Sequence, residues 1–207
     1  MNVDITLPDG SVRNYESPVT GYQIAESIGP RLLKDAICVE IDNKFQDLSY
    51  EISENINIRI VTTKDLDALH ILRHSSAHIL AQAVLNLYPN AQFGVGPSIE
   101  NGFYYDFLFE TPIKENELEK IEKEMKRIAK SAQSFIRSEI TKKDAIKIFK
   151  NQKLKLELIE SAESDEGVGE EIVSTYANDE FIDLCMGPHV PSTSVLKHFK
   201  LTKVSGA

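Results

Sequence analysis

The sequence contains only two cysteines, Cys38 and Cys185, and their contexts suggest no disulfide framework. No apolar run approaches the ~20 residues that a membrane-spanning helix needs. The N-terminus, MNVDITLPDG, has neither the basic region nor the apolar region of a secretory signal. Together these absences predict a protein of a reducing, cytoplasmic compartment with no membrane partner.

The length of the chain favours two domains. Its 207 residues are long for one domain and sufficient for two. With 42% hydrophobic and 27% charged residues, the chain can bury a core and remain in solution. We predict a first domain at residues 1–62 and a second at residues 63–207.

Charge is distributed unevenly along the chain. The formal net charge of −9 argues at first against a nucleic-acid partner. Between Lys120 and Lys155, however, twelve Lys and Arg residues accompany only four Asp and Glu residues, a local net charge of +8. A chain of this polarity can present a basic surface to phosphates and stay acidic as a whole. A solvated helix face is the alternative explanation of the same charges.

Residues 1–62 have the pattern of a small β-rich domain. Apolar and polar residues alternate from Val3 to Leu7, and Pro8-Asp9-Gly10 then predicts the turn of a hairpin. A short helix is predicted at 21–28, where Gly29-Pro30 ends it. Further strands are predicted at 36–41, 45–48 and 56–61. This order of elements suggests a β-grasp, ubiquitin-like fold.

Residues 63–207 predict a larger α+β domain with an antiparallel sheet and a long helix. Apolar residues recur at helical spacing over 66–87 and again over 114–134. Alternation of Leu154, Leu156 and Leu158 with charged residues predicts a half-buried strand. The other predicted elements are a strand at 136–140, a short helix that Thr141 caps, and a hairpin of strands 172–176 and 181–185.

Three of the five histidines, His70, His74 and His78, are spaced four residues apart in the long predicted helix. Residues four apart lie on one face of a helix, so these imidazoles form a ladder. Two imidazoles at this spacing can face one metal ion or one substrate. Structural histidines are common, so the spacing alone leaves a purely structural role open.

A second cluster of reactive side chains occupies FIDLCMGPHVP, residues 181–191. Side chains two apart on a strand share a face, so Asp183 and Cys185 are predicted to point the same way. The Gly187-Pro188 turn then brings His189 near the thiol. A small buried hydrophobe is the alternative role for Cys185. The carboxylate of Asp183 weakens that alternative, because it would be an unpaired charge in a core.

The two clusters are candidates for one site. Imidazole and thiolate groups in tetrahedral array bind zinc. The same groups can instead form a metal-free polar pocket, in which imidazoles position a water and the thiol is a neutral hydrogen-bonding group. The side chains concerned are His74, His78, Cys185 and His189.

Three blocks of sequence resemble the signatures of the editing domain of threonyl-tRNA synthetases. They are RHSSAHILAQAV at 73–84, GPSIENGFYYDF at 96–107 and FIDLCMGPHVPS at 181–192, in the family's order and spacing. The segment that starts at ITLPDGSVRNY resembles a TGS domain, so the resemblance covers essentially the whole chain. The related alanyl-tRNA editing domains share the two histidine-containing motifs, but neither the TGS unit nor the NGFYYD block.

The resemblance also implies which residues form the site. The family's functional residues correspond to His74, His78, Asp183, Cys185 and His189. The family also uses a lysine in the strand before a loop, and Lys155 is the matching residue, although Lys153 lies on the same predicted face. His70 has no counterpart and is predicted to be structural.

The function that the resemblance implies is hydrolysis of Ser-tRNA(Thr), the wrongly charged product of a threonine–tRNA ligase. The implied partners are the acceptor end of tRNA(Thr) carrying serine and the remainder of the synthetase, through whose core the parent enzyme is expected to form a homodimer. Editing is expected to need no cofactor, with ATP and zinc confined to that core. The chain stops at KLTKVSGA in mid-pattern, which we interpret as a cut ahead of the core.

Several alternatives remain compatible with the sequence. They are a zinc-dependent deacylase of the alanyl type, a free-standing trans-editing deacylase, and a non-catalytic RNA-binding module. The convergence of six titratable residues from separate segments argues against a binding module. A mechanistic alternative makes Cys185 a covalent nucleophile, since Cys-His pairs catalyse in this way.

Overall fold

A computed structural model describes residues 1–161 and 172–206, and the protein divides into two units. The first unit comprises Met1–Leu72 together with Gly187–Pro191. The second comprises Arg73–Met186 together with Ser192–Ala207. Within the described ranges, no helix has the length and the apolar character needed to cross a membrane.

The first unit is a mixed β-sheet with a helix packed against it. Its strands are β1 (Asn2–Thr6), β2 (Val12–Glu16), β3 (Val19–Thr20), β4 (Ala36–Ile41), β5 (Lys44–Asp47), β6 (Glu51–Ile52) and β7 (Ile56–Thr62), and its helices are α1 (Gly21–Ile28) and α2 (Pro30–Asp35). Five strands lie in the order β2-β1-β7-β4-β5, with β1 parallel to β7 and the other neighbours antiparallel. The predicted β-grasp fold is confirmed.

Helix α1 is held by a cap at its start and by core packing along its length. Thr20 Oγ1 accepts a 3.4 Å hydrogen bond from the Gln23 amide, and Gln23 Oε1 accepts a 2.8 Å bond from the Thr20 amide. This reciprocal pair satisfies amides that the first helical turn leaves open. Ile24 is fully buried against Val3 and Ile5 of β1, so the helix closes one face of the sheet.

The second unit contains the long helix α3 (Ala68–Leu87) from Arg73 onward, together with short strands and three more helices. The remaining elements are β8 (Gln92–Phe93), β9 (Ser98–Ile99), β10 (Gly102–Phe103), β11 (Phe107–Leu108), α4 (Leu118–Lys130), β12 (Ile136–Thr141), α5 (Lys142–Ile148), α6 (Lys153–Ser161), β13 (Ile172–Asn178) and β14 (Phe181–Leu184). Strands β12, β13 and β14 form an antiparallel sheet, and β8 pairs with β11. The α+β class and the long helix are confirmed.

One sequence prediction is wrong: the leucine-alternating segment is helix α6, not a strand. The residues that α6 buries are Lys155 and Ile159, four positions apart, which is helical spacing. Leu158 is 37% exposed, so the leucines do not form a single buried face. Residues two apart on a helix point about 200° away from each other. Lys153 is therefore exposed while Lys155 is buried, and only Lys155 faces the interior.

Replacing Ile24 by Ala is expected to lower the free energy of unfolding by about 2–5 kcal/mol, because it leaves a cavity between α1 and the sheet. Leu66→Ala is the matched control in the same unit. Leu66 is 86% exposed, so its truncation is expected to change stability by less than about 0.5 kcal/mol. Urea unfolding of both variants measures the difference. Equal losses would contradict the core assignment.

Candidate active site in the second unit

Helix α3 presents His74 and His78 to the interior of the second unit. Residues 75–84 are all buried, so this stretch of helix is enclosed on every side, and it buries polar side chains as well as apolar ones. The two imidazoles lie one turn apart, with ring centroids separated by 5.0 Å and planes inclined by 76°. His78 is buried and His74 half-buried, so the pair runs from the interior towards the surface.

Cys185 contacts the imidazole of His74, the less buried of the two histidines. Its Sγ lies 3.0 Å from Nε2 of His74. The thiol is placed by the hairpin of β13 and β14: the Cys185 amide donates to the Ser174 carbonyl at 3.1 Å, and Ser174 Oγ donates to the Cys185 carbonyl at 2.6 Å. The histidine that the second unit brings to Cys185 is His74, whereas the spacing in the sequence predicted His189.

Lys155 and Asp183 form an ion pair in the interior, and each residue is 1% exposed. The ammonium of Lys155 contacts Asp183 Oδ1 and also donates to the Gly94 carbonyl at 2.6 Å and to Tyr105 Oη at 3.1 Å. Its Nζ lies 4.8 Å from the centre of the Phe93 ring. An ammonium carries three N–H groups, and three oxygen acceptors surround this one. The buried cation is therefore fully compensated.

The start of helix α6 explains how Lys155 reaches the interior. Gln152 Oε1 accepts from the Phe93 amide at 3.2 Å, and Gln152 Nε2 donates to the Ala91 carbonyl at 3.3 Å. Gln92 Oε1 accepts a 2.6 Å bond from the Lys153 amide. These side-chain bonds join the first turn of α6 to strand β8. Lys155 follows on the helix face that looks towards the Gly94 carbonyl.

Asp183 is held by a second donor, the hydroxyl of Tyr105. Tyr105 Oη lies 2.5 Å from Asp183 Oδ2, and His78 Nε2 lies 3.6 Å from the same oxygen. Tyr105 is not among the predicted site residues, although it stands in the NGFYYDF block. The available signal was its alternation with Phe103 and Phe107, which places a hydroxyl on an apolar face, where a buried tyrosine requires a partner.

Burial shifts the titration of these groups in opposite directions. It raises the pKa of Asp183, a rise that Lys155 and the Tyr105 hydroxyl oppose. Burial and the neighbouring Asp183 charge raise the pKa of Tyr105 well above its usual range, so the hydroxyl stays protonated and donates. Burial lowers the pKa of His78 well below its ordinary value, and His74 and Lys155 add to the effect. His78 is therefore neutral at pH 7.

His189, the last predicted site residue, lies in the part of the chain that belongs to the first unit. Its side chain is buried, and its amide donates to Asp47 Oδ1 at 3.0 Å. The preceding Gly187 has a φ of 76°, a conformation that favours glycine and turns the chain after Met186. A place for His189 beside Cys185 stays a prediction from their spacing. His70 is exposed, in keeping with the absence of a predicted role.

Two parts of the chain match known domain families. Residues 3–62 match the TGS domain, and residues 173–207 match the family described as threonyl and alanyl tRNA synthetase second additional domain. The chain carries segments of both families. The second match contains Asp183, Cys185 and His189, and the TGS match ends where β7 ends.

Curated relatives named threonine–tRNA ligase are similar over essentially the whole chain. The protein of Francisella philomiragia is 48% identical over 207 residues, that of Ralstonia nicotianae 47% over 207 residues, and that of Burkholderia multivorans 49% over 208 residues. Each comparison covers 99% of this chain and 32% of the relative. The resemblance to threonyl-tRNA synthetases is confirmed, and the chain spans about a third of the length of the curated relatives it matches.

Three side chains of the second unit could hold a metal ion. Ligand atoms of His74, His78 and Cys185 lie within 4.8 Å of one another. Two imidazoles and a thiolate suit zinc. Tetrahedral zinc holds a nitrogen and a sulfur ligand about 3.5 Å apart, from bond lengths of about 2.0–2.3 Å. The 3.0 Å contact of His74 with Cys185 is shorter, so zinc would require the pair to separate.

A cavity of the second unit lies away from the candidate site. Its volume is about 750 Å³, and residues of α3, α4 and the turn between β13 and β14 line it, among them Gln82, Arg127 and Glu180. None of its described lining residues is a predicted site residue. Polar chemistry, rather than cavity size, therefore distinguishes the candidate site.

Replacing Asp183 by Asn is expected to lower the free energy of unfolding by about 3–5 kcal/mol, because the Lys155 ammonium then stays buried without its counter-ion. Asp183→Asn combined with Lys155→Met is expected to recover part of that loss. Glu157→Gln is the control on the same helix, since its pair with Lys153 is 3.9 Å long and exposed. Its effect is expected to stay below about 1 kcal/mol in urea unfolding. An Asp183→Asn loss no larger than the control would contradict the compensated pair.

Proposed function

We propose that this chain hydrolyses the ester of a wrongly charged tRNA, Ser-tRNA(Thr), as the editing portion of a threonine–tRNA ligase. The observation that carries the proposal is the contact of His74 Nε2 with Cys185 Sγ near the buried pair of Lys155 and Asp183. A reactive pair with an accessible side and a charged group behind it suits acyl-transfer chemistry. The match of residues 173–207 to a domain family named after threonyl and alanyl tRNA synthetases supports the choice of substrate.

The need for such a site follows from the size of a methyl group. A synthetic site that binds threonine cannot strongly reject serine, which keeps the hydroxyl and lacks only the methyl. That difference is worth about 1–3 kcal/mol in a pocket. A second site can destroy Ser-tRNA(Thr) and spare Thr-tRNA(Thr) by being too small for the extra methyl.

The reaction requires a positioned water and stabilisation of an oxyanion, because the ester to the terminal adenosine is already activated. We assign the water to His74, whose ring is half-buried and faces the accessible side of the site. An unprotonated imidazole nitrogen can accept the proton of the water or orient it. In this proposal His78 and Cys185 act as neutral hydrogen-bonding groups that hold the ribose and the amino acid, together with His189.

In the proposal Lys155 supplies a fixed positive charge behind the site, and Asp183 is its counter-ion. Electrostatic support of the water and of the oxyanion by Lys155 requires a fixed cation nearby and no contact with bulk water. Asp183 is already bound by Lys155 and Tyr105. A bond from Asp183 to the ammonium or hydroxyl of the seryl group therefore requires the substrate to replace one of these two partners.

The rest of the protein is proposed from its relatives. The chain accounts for 32% of the length of threonine–tRNA ligases. We assign aminoacylation, with its ATP and zinc, to the remaining length, together with the homodimer interface. The acceptor end of tRNA(Thr) is the proposed partner of the present chain, and the cytoplasm the proposed location.

A zinc-dependent deacylase is the second candidate. The observation that favours it is the grouping of His74, His78 and Cys185 ligand atoms within 4.8 Å. The two candidates differ in one measurable property, the response of the reaction to a chelator. We place the metal-free reaction first because the buried pair of Lys155 and Asp183 lies against His78, an arrangement that suits a substrate pocket better than a closed structural metal site.

His74→Ala is expected to slow deacylation of Ser-tRNA(Thr) at least tenfold, about 1.4 kcal/mol or more in the barrier, because the water loses its base. His70→Ala is the matched control, one turn earlier on the same helix and exposed. His189→Ala and Lys155→Ala are expected to slow the reaction similarly. Lys155→Ala also breaks the buried pair, so its unfolding is measured alongside. Release of labelled serine is followed, with Thr-tRNA(Thr) as the spared substrate.

Three results would contradict this assignment. Equal rates for His74→Ala and the parent would remove the water-positioning role. An acyl group trapped on Cys185 would replace the water mechanism with a covalent one. Stoichiometric zinc in the purified protein, with loss of the rate when a chelator removes it, would favour the second candidate.

The basic segment, Lys120–Lys155, is the proposed surface for the acceptor end. Its four carboxylates each pair with a cation of the segment, in the pairs Glu122–Lys126, Glu124–Arg127, Glu139–Arg137 and Asp144–Lys147. The other eight of its twelve cations take no part in these four pairs. Lys143 and Lys150 are exposed and form no ion pair with any residue that the structure describes. They are the most direct candidates for phosphate contacts.

Replacing Lys143 and Lys150 by Glu is expected to weaken tRNA binding and to flatten its dependence on salt, by about one unit of slope per lost contact. The preference for the seryl ester is expected to survive, since phosphate contacts position the nucleic acid and do not read the amino acid. Lys34→Glu combined with Lys44→Glu is the control, since both lysines are exposed and the double change alters the charge of the first unit by the same amount. Unchanged affinity of the double variant at every salt concentration would show that the segment is only a solvated face.

A further inference from the structure

The segment Gly94–Gly96 turns two main-chain carbonyls towards the polar groups of the site. The Gly94 carbonyl accepts the 2.6 Å bond from Lys155, and the Gly96 carbonyl lies 3.4 Å from Nδ1 of His74. The segment is fixed by backbone hydrogen bonds with Asp106: the Gly94 amide donates to the Asp106 carbonyl at 2.8 Å, and the Asp106 amide donates to the Val95 carbonyl at 2.9 Å. The segment that carries both carbonyls is therefore anchored to Asp106, the residue before strand β11.

Gly96 has a steric reason to be glycine. A Cβ at this position would meet three atoms of the Tyr105 ring at 2.1, 2.5 and 2.9 Å, distances that real Cβ atoms essentially never show. The ring cannot yield easily, because the Tyr105 hydroxyl is bonded to Asp183 and Lys155 and the ring stacks on Phe107 at 5.2 Å. Any larger residue would have to displace either the ring or the backbone that carries the carbonyl.

We propose that Gly96 is a positioning residue that sets the tautomer of His74. A carbonyl oxygen can only accept a hydrogen bond, so the ring nitrogen that faces it, Nδ1, carries the proton. In the neutral ring the other nitrogen, Nε2, is then the unprotonated one. The tautomer is inferred from the position of the Gly96 carbonyl. Its importance for catalysis rests on the proposed function, in which Nε2 is the nitrogen that serves the water.

The tautomer also fixes the direction of the contact with Cys185. Since Nε2 of His74 has a lone pair and no proton, the thiol of Cys185 is the donor across the 3.0 Å contact. The two contacts orient the ring so that Nδ1 faces Gly96 and Nε2 faces Cys185. The Gly96 carbonyl and the Cys185 thiol therefore fix the position of Nε2. In the proposed reaction a water replaces the thiol as the partner of Nε2.

Long-range proton–nitrogen NMR of the chain labelled with ¹⁵N-histidine tests the tautomer directly, with no substrate present. His74→Ala identifies the His74 signals by their loss. We expect a neutral ring with the proton on Nδ1 at neutral pH. A proton on Nε2, or a doubly protonated ring, would overturn the proposal. The decision needs only the unsubstituted chain and this one variant, which serves to assign the signals.

Gly96→Ala is expected to abolish the preference for the Nδ1 proton and to slow deacylation about 100-fold, as a displacement of about 1 Å at a reacting group does. Gly102→Ala is the matched control, because a Cβ there has nothing within 4 Å, and it is expected to keep both the tautomer and the rate. A folded Gly96→Ala variant with the parent tautomer would overturn the proposal. If the unsubstituted chain has the expected tautomer but no activity on Ser-tRNA(Thr), the proposed function fails and the tautomer assignment stands.

Discussion

The burial of one cation, the Lys155 ammonium, is the constraint on which the second unit depends. Removing a charge from water is expensive unless its partners are complete, and an ammonium needs three acceptors at once. Here a carboxylate, a phenolic oxygen and a main-chain carbonyl come from three separate segments of the chain. Their common attachment to Lys155 fixes helix α6, strand β14 and the glycine segment, and these in turn bound the space in front of His74 and Cys185.

Much of the fold is predictable because its causes are local. Alternation from Val3 to Leu7 and the Pro8-Asp9-Gly10 turn are sufficient to give the first hairpin, and the Thr20 cap marks the start of α1 within the sequence itself. The same holds for part of the site. Four-residue spacing brings His74 and His78 to one helix face, and the hairpin that carries Cys185 is visible as two strands around a turn.

What could not be predicted depends on contacts between distant segments. The leucines of α6 alternate as in a strand, and only the burial of Lys155, which a sequence pattern treats as polar, reveals the helical face. The carbonyls of Gly94 and Gly96 leave no trace in the sequence, because every residue has a carbonyl. Tyr105 was missed for a related reason: its partners, Asp183 and Lys155, are 78 and 50 residues away.

The segment Gly187–Pro191 makes the first unit discontinuous, because these five residues belong to it although the chain between Leu72 and Gly187 does not. The consequence concerns modularity. A shortened gene that began at Arg73 would still encode His189 but not Asp47, whose carboxylate accepts the His189 amide. Exchange of the TGS segment between relatives would likewise bring a foreign surface to Gly187–Pro191. Sequence changes around Asp47 and around His189 are therefore expected to depend on each other.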